Sequence, residues 1–290
     1  MTRPSPLTFF KQSLKSESYY ADEIINIYLM RPLAAVVVWF LYPTGITPNQ
    51  VTLFAVLLGF AGAIIYTAGT PAAIAVAGLL VTAKDIFDDA DGQLARAKQL
   101  YSRPGRFLDS LGDVAVDIAI FSAITVVLFH LNPTPTTIIL GISGFFGITL
   151  RVSYHVYYQA SFLHLEDQYK LNRTIERITE EDKRGDPVAL RLQILFNIVY
   201  EWQDKLMYRI DSWCRGKYFS EQHIKSWYAD RTAMRISGLL GFGTELAVLT
   251  ICSLMNALQV YLLLNVFLMN GILLLSILYR RIILRSKLMR

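Results

Sequence analysis

Asp88-Asp89-Ala90-Asp91-Gly92-Gln93-Leu94-Ala95-Arg96, a short basic link, and then Gly105-Arg106-Phe107-Leu108-Asp109-Ser110-Leu111-Gly112-Asp113 form the stretch around which the chain is organised. Apolar runs flank it on both sides. Carboxylates beside a hydrocarbon-length run are costly to bury, which makes them functional candidates. Asp88 and Asp91 are three apart and share one helix face, while Asp109 and Asp113 are four apart and share a face of the next helix. Ser102-Arg103-Pro104 breaks the chain between them. Two helices in a hairpin would aim four oxygen donors at one point. Left unpaired, those acids repel one another. One or two hard divalent cations would remove the repulsion, and carboxylate oxygen favours magnesium, manganese or calcium over zinc.

Composition sets the class. The 290 residues are 53% hydrophobic, with mean hydropathy +0.38. These values fit an integral membrane protein rather than a soluble one. The net charge of +5 is modest, so membrane lipid is an expected partner and nucleic acid is not. Cys214 and Cys252 are far apart in no metal-type spacing and are read as free thiols. The first thirty residues scatter charges and hold no clean apolar core, so no cleavable leader is expected.

The fold expected is all-α: a polytopic membrane protein of six transmembrane helices with an N-terminal interfacial helix and a cytoplasmic helical insert. Residues 1–47 form an N-terminal amphipathic, interfacial segment. Within it Phe9, Phe10, Tyr19, Tyr20, Ile24 and Ile25 alternate with Lys11, Lys15, Asp22 and Glu23. Tyr28–Tyr42 is too short to span and is read as lying at headgroup level, with Arg31 and Trp39 as anchors. Residues 48–160 hold the first four spans and the acidic stretch. The first starts at Thr47-Pro48-Asn49, where threonine caps and proline suits the first turn. From Pro48 to Ala83 there is no Asp, Glu, Lys or Arg. That run holds one span, a turn near Gly69-Thr70-Pro71 and the start of a second, whose helix must continue into the charged part. The third span runs to about Leu131, Asn132-Pro133-Thr134-Pro135 turns the chain, and the fourth covers Thr136 to about Tyr157. Residues 161–231 are the insert, with helical periodicity around Leu190–Trp213 and a solvated charged face. Residues 232–290 hold the fifth and sixth spans, turning near Asn256, and a basic tail. Three turns near 67–72, 131–135 and 253–258 lack Lys and Arg, whereas the opposite side carries Lys98, Arg103, Arg106 and Arg280 to Arg290. The positive-inside rule makes that second side cytoplasmic.

The pattern Asp88-x-x-Asp91-Gly92-x-x-Ala95-Arg96, eight residues, Gly105-x-x-x-Asp109-x-x-x-Asp113 resembles the signature of the CDP-alcohol phosphotransferase (CDP-alcohol phosphatidyltransferase) family. All eight defining positions are present. The signature covers under a tenth of the chain, and the pattern of spans extends the likeness from about residue 30 to the end. The resemblance implies a metal-dependent reaction in phospholipid synthesis: an alcohol attacks the phosphate of a CDP-linked donor and CMP leaves. It implies Asp88, Asp91, Asp109 and Asp113 as ligands of Mg2+ or Mn2+, two ions, and Asp113 as the base for the acceptor hydroxyl. It implies Gly92, Ala95 and Arg96 as nucleotide-binding, with Asn49 touching the donor, and a homodimer.

CDP-diacylglycerol is the favoured donor, because apolar flanks would admit acyl chains, and a small polar alcohol is the favoured acceptor. A CDP-choline or CDP-ethanolamine type of transferase onto diacylglycerol uses the same signature. Inositol-phosphate acceptors are disfavoured, since Val114 stands where those relatives often carry arginine after the last aspartate. Arg151, Arg231 and Arg235, with His155, are acceptor-binding candidates at the ends of the fourth and fifth spans; anchoring at the membrane boundary is the plainer reading of each. Asp85 could support the ligands from behind, Asp89 points elsewhere, Asp117 lies one turn beyond Asp113, and Glu245 is expected to pair within the bundle. A divalent cation transporter also needs membrane acids, but it leaves Gly92-x-x-Ala95-Arg96 without a purpose.

Overall fold

A computed structural model of the chain describes residues 5, 8, 21–165, 178–216 and 223–289. The amphipathic reading of Phe9 to Tyr20 lies outside the described residues. Among those described the chain is all helix: α1 (Asn26–Leu41), α2 (Pro48–Tyr66), α3 (Pro71–Lys98), α4 (Arg103–Leu131), α5 (Pro135–Leu165), α6 (Glu180–Arg184), α7 (Pro187–Arg215), α8 (Ile224–Tyr228), α9 (Arg231–Gly238), α10 (Phe242–Leu254) and α11 (Leu258–Leu288). Five stretches are long and apolar enough to cross a membrane: α2, α4, α5, the run Ile224–Leu254, and α11. Helix α3 is apolar over Pro71–Ala83 and charged beyond. At about 1.5 Å per residue it is roughly 42 Å long, more than the hydrocarbon needs, so its second half runs past the apolar part. The protein is an all-α polytopic membrane protein.

The helix starts follow from their caps. Gln50 Oε1 accepts the Thr47 amide at 2.9 Å as α2 begins, and Pro48 takes the first position. Thr70 Oγ1 accepts the Ala73 amide at 3.2 Å ahead of Pro71. The turns fall at Thr67–Thr70, Asn132–Thr134 and Met255–Ala257, the last with Asn256 at φ +53°.

Helix α2 packs against both α3 and α4, and α10 packs against α3. Their shared core holds Tyr66, Val81, Val116, Ile120, Phe121, Leu246, Leu249 and Tyr261. Buried hydroxyls join the helices across it: Tyr66 to Ser253 at 2.6 Å and Thr82 to Thr250 at 2.7 Å. Between membrane helices, such close approach and hydrogen bonding hold helices together where burial from water does not. Leu53, Leu57, Ile64, Ile139, Ile142, Leu274 and Leu275 face outward, as lipid-facing positions should.

Helix α1 packs Ala34, Ala35 and Val38 on Ala90 and Leu94 of α3. It thus covers the charged half of α3. The chain between Ile236 and Leu254 is not one helix: it breaks at Leu239–Gly241 and restarts as α10. Glu23 caps the restart. Its carboxylate accepts the Thr244 amide at 2.8 Å and the Thr244 hydroxyl at 3.1 Å. A helix start needs acceptors for its free amides and favours negative charge, and Glu23 supplies both from far off in the sequence. A side chain at Gly241 would overlap Glu23.

Helix α7 is amphipathic and lies along α4 and α5. Its far end is anchored by Asp211, which is wholly buried and accepts from Tyr158 (3.0 Å), Trp227 (2.8 Å), Tyr228 (2.8 Å) and Arg215 (2.9 Å). Ile194, Leu195, Ile198, Trp202 and Trp213 are exposed along the opposite side, an apolar stripe beside the charges expected there. Cys214 and Cys252 are free.

Candidate active site

Helices α3 and α4 form the hairpin that carries the acidic stretch. Gln99, left-handed at φ +56°, ends α3, and Ser102 Oγ opens α4 by accepting the Gly105 amide at 3.0 Å. Asn49, at the start of α2, accepts from the Ser102 hydroxyl at 3.4 Å. A Cβ at Gly105 would overlap both Asn49 and Ser102, so only glycine lets α2 and α4 begin so close together.

Counting residues from the hairpin turn puts the acids at matched depths. At 1.5 Å per residue, Asp91 and Asp109 lie about 10 Å from the turn, Asp88 and Asp113 about 15 Å, and Lys84 and Asp117 about 21 Å. One carboxylate oxygen from each of Asp88, Asp91 and Asp109 lies within 4.8 Å of the other two. Thr52 of α2 donates its hydroxyl to Asp91 Oδ2. Asp88 Oδ1 and Asp109 Oδ1 are buried and have no hydrogen-bond partner among the described residues. Three clustered acids, two of them with an open oxygen, are a poor resting arrangement for charge and a good one for a hard divalent ion. The donor set therefore fits Mg2+ or Mn2+.

Asp113 reaches this group through a cation. The Lys84 ammonium contacts Asp113 Oδ1, lies 3.5 Å from Asp88 Oδ2, and sits 4.9 Å above the Phe242 ring. Lys84 is 1% exposed, while the Asp113 side chain keeps 25% of its surface open. Tyr200 of α7 donates to the Ser110 carbonyl at 2.7 Å, and Phe196 packs on Phe107 with centroids 5.1 Å apart. The inserted helix thus braces the turn of α4 between Asp109 and Asp113.

Gly92 and Ala95 follow Asp91 on α3. The Arg96 guanidinium lies over Gly92, where an added Cβ would meet it at 3.5 Å. Asp85 is buried with one oxygen unpartnered, and it turns towards Gly243 and Glu23 rather than joining the three acids. Arg151 is fully buried. Its guanidinium pairs with Glu245 at 2.8 Å and donates to the Asn265 carbonyl (2.9 Å) and Asn270 Oδ1 (2.7 Å). Glu245 is paired, as expected. His155 is buried with Nδ1 unpartnered, and Arg231 and Arg235 are exposed on α9.

Sequence reasoning passed over Lys84, Thr52, Glu23 and Tyr200. Two of them had a local signal. Lys84, Asp88 and Asp91 follow i, i+4, i+7 spacing on one face, and Thr52 is one turn after Asn49 on an otherwise apolar helix.

A family model described as CDP-alcohol phosphatidyltransferase matches residues 45–202, more than half of the chain. The match runs from the start of α2, through the acidic hairpin, into α7. The chain belongs to the CDP-alcohol phosphatidyltransferase family. Its relatives include three proteins named bifunctional IPC transferase and DIPP synthase. That of Aquifex aeolicus is 35% identical over 88 residues, 30% of this chain and 19% of the relative. That of Archaeoglobus fulgidus is 35% identical over 109 residues, 38% and 20%. That of Thermococcus kodakarensis is 39% identical over 72 residues, 25% and 16%. The matched part spans a fifth or less of the length of each of these relatives.

Proposed function

We propose that the protein is a CDP-alcohol phosphotransferase of phospholipid synthesis. The reaction joins an acceptor alcohol oxygen to the donor phosphorus, breaks the bond from that phosphorus to the bridging pyrophosphate oxygen, and releases CMP. The observation that carries this reading is the pair of buried, unpartnered oxygens on Asp88 and Asp109 beside Asp91. Asp88, Asp91 and Asp109 would hold Mg2+ or Mn2+. When bound, the metal supplies positive charge for the pyrophosphate oxygens of the donor and for the oxygen that leaves.

The chain's own residues do the rest. Asp113 takes the proton of the acceptor hydroxyl, for which its partly open carboxylate is suited. Gly92 and Ala95 leave α3 without bulk, so that the cytidine phosphate can approach the helix. Arg96, lying over Gly92, binds donor phosphate. Thr52 holds Asp91 in one orientation. Asn49 and Ser102 shape the mouth of the hairpin. Such chemistry is mainly positioning and electrostatics, which rigid packed helices provide. The resemblance also implies a second ion on Asp113; here that carboxylate is engaged by Lys84.

CDP-diacylglycerol is the proposed donor and a small polar alcohol the acceptor. Six spans, counting α3, would put the hairpin on the cytoplasmic side, where the basic residues gather. The test is purified protein in lipid, supplied with Mg2+ or Mn2+ and a panel of CDP donors and alcohols, with CMP and lipid products identified by mass. CMP release with a phosphatidyl product supports the reading. Phosphocholine or phosphoethanolamine transfer to diacylglycerol would move the donor assignment. Metal flux into liposomes without CMP release would replace the enzyme with a transporter.

A further inference from the structure

Lys84 is an ammonium with 1% of its surface exposed, on a helix that enters the apolar bundle. A buried charge is tolerated when opposite charge surrounds it. Its partners are Asp113 Oδ1, Asp88 Oδ2 and the face of the Phe242 ring. These are not incidental acids. Asp88 belongs to the group of three acids whose oxygens lie within 4.8 Å of one another, and Asp113, the fourth member of the signature, is not in that group. The ammonium therefore stands between the upper pair of carboxylates, and the lower oxygens are left for a metal.

We infer that Lys84 is the second cation of this site, tethered to α3, so that one divalent ion binds per chain and Asp113 is held as a positioned carboxylate rather than as a metal ligand. This rests on the reading of Asp88, Asp91 and Asp109 as a divalent-ion site. A second divalent ion between Asp88 and Asp113 would meet the Lys84 ammonium at contact distance, and like charges there repel strongly. Without the lysine the same two carboxylates would be free to bind one. Lys84 acts through Asp113 and Asp88, and so it is a positioning residue. The arrangement assigns the four aspartates unequal tasks: three hold metal, and the fourth keeps an oxygen open for the acceptor hydroxyl.

The experiment counts ions. The full chain, purified in detergent and stripped of metal, is titrated with Mn2+ while free Mn2+ is read by electron paramagnetic resonance. No nucleotide is needed, so the count stands whether or not the protein releases CMP, and loss of CMP release leaves the count readable. The expected result is one Mn2+ per wild-type chain, two per Lys84→Met chain, and one again in Lys84→Arg, whose charge is restored. Two Mn2+ in the wild type, or one in Lys84→Met, overturns the inference. If thermal unfolding shows that Lys84→Met does not fold, Asp113→Asn decides. One bound Mn2+ retained in that variant supports the assignment, and loss of the ion shows that Asp113 is a ligand and overturns it.

Discussion

Two of the buried polar groups solve opposite problems. Around Glu245 every carboxylate oxygen is answered: Arg151 holds Oε2 at 2.8 Å, and Tyr261 at 3.0 Å and Asn265 hold Oε1. Around Asp88, Asp91 and Asp109 the acids face one another, and two oxygens have nothing to accept from. Both groups sit among apolar helices, where an unanswered charge is costly. In the first, the carboxylate is answered by the protein itself and joins α5, α10 and α11, although Arg151 Nε and Asn265 Oδ1 have no partner among the described residues. The second keeps two carboxylate oxygens without a donor among the described residues, and a divalent ion is its proposed complement. Buried carboxylate oxygens without a donor call for an explanation, which a bound ion would supply, whereas an acid answered by charge and hydrogen bonds holds helices together.

The sharpest way to break this comparison is to remove one member of each group. Asp109→Asn deletes a proposed metal-holding carboxylate. Metal stabilisation of a transferring phosphate is worth several kcal/mol, so CMP release should fall by about 10³-fold or more. The same variant loses one repelling charge. In metal-free buffer it should therefore unfold no earlier than the wild type. A variant that keeps its turnover, or that unfolds early without metal, would place Asp109 among structural residues.

Glu245→Ala should behave in the opposite way. It leaves the Arg151 guanidinium buried without its counter-charge, a loss of about 3–5 kcal/mol in unfolding free energy. Replacing both partners with apolar residues, as in Glu245→Leu with Arg151→Met, should recover much of that loss. Unfolding in a denaturant series in detergent reads both. If the single variant is as stable as the wild type, the Arg151 pair is not a structural clamp, and the acceptor role for Arg151 regains its case.

The sequence displayed one of these groups and hid the other, for a physical reason. Asp88, Asp91, Asp109 and Asp113 repeat at helix spacing within one hairpin, so local periodicity is enough to bring them together. Arg151 and Glu245 are on helices 94 positions apart, and nothing local joins them. The same holds for Glu23 and Thr244, 221 positions apart, whose contact caps the restart after the break in the expected fifth span at Leu239–Gly241. Helix starts were legible because Thr47, Thr70 and Ser102 precede prolines. Lys84 was legible in spacing but not in meaning. A basic residue closing an uncharged run reads as the end of a span until its partners across the hairpin are visible.

Thr52 carries the smallest of the three effects and divides the two groups most finely, because it is the one hydrogen-bond donor the structure gives to Asp91 among the described residues. Groups that orient a metal ligand typically contribute 10–100-fold to metal affinity, or about 1.4–2.7 kcal/mol. Thr52→Ala should raise the Mn2+ concentration needed for half-maximal CMP release by about that factor, and Thr52→Ser should restore it. At saturating Mn2+ the rate should approach that of the wild type, because the hydroxyl touches neither donor nor acceptor in the proposed arrangement. If Thr52→Ala instead lowers the saturated rate and leaves the metal requirement alone, Asp91 is being held for a step in the transfer, and the line between a metal-holding group of three and a separate Asp113 would have to be redrawn.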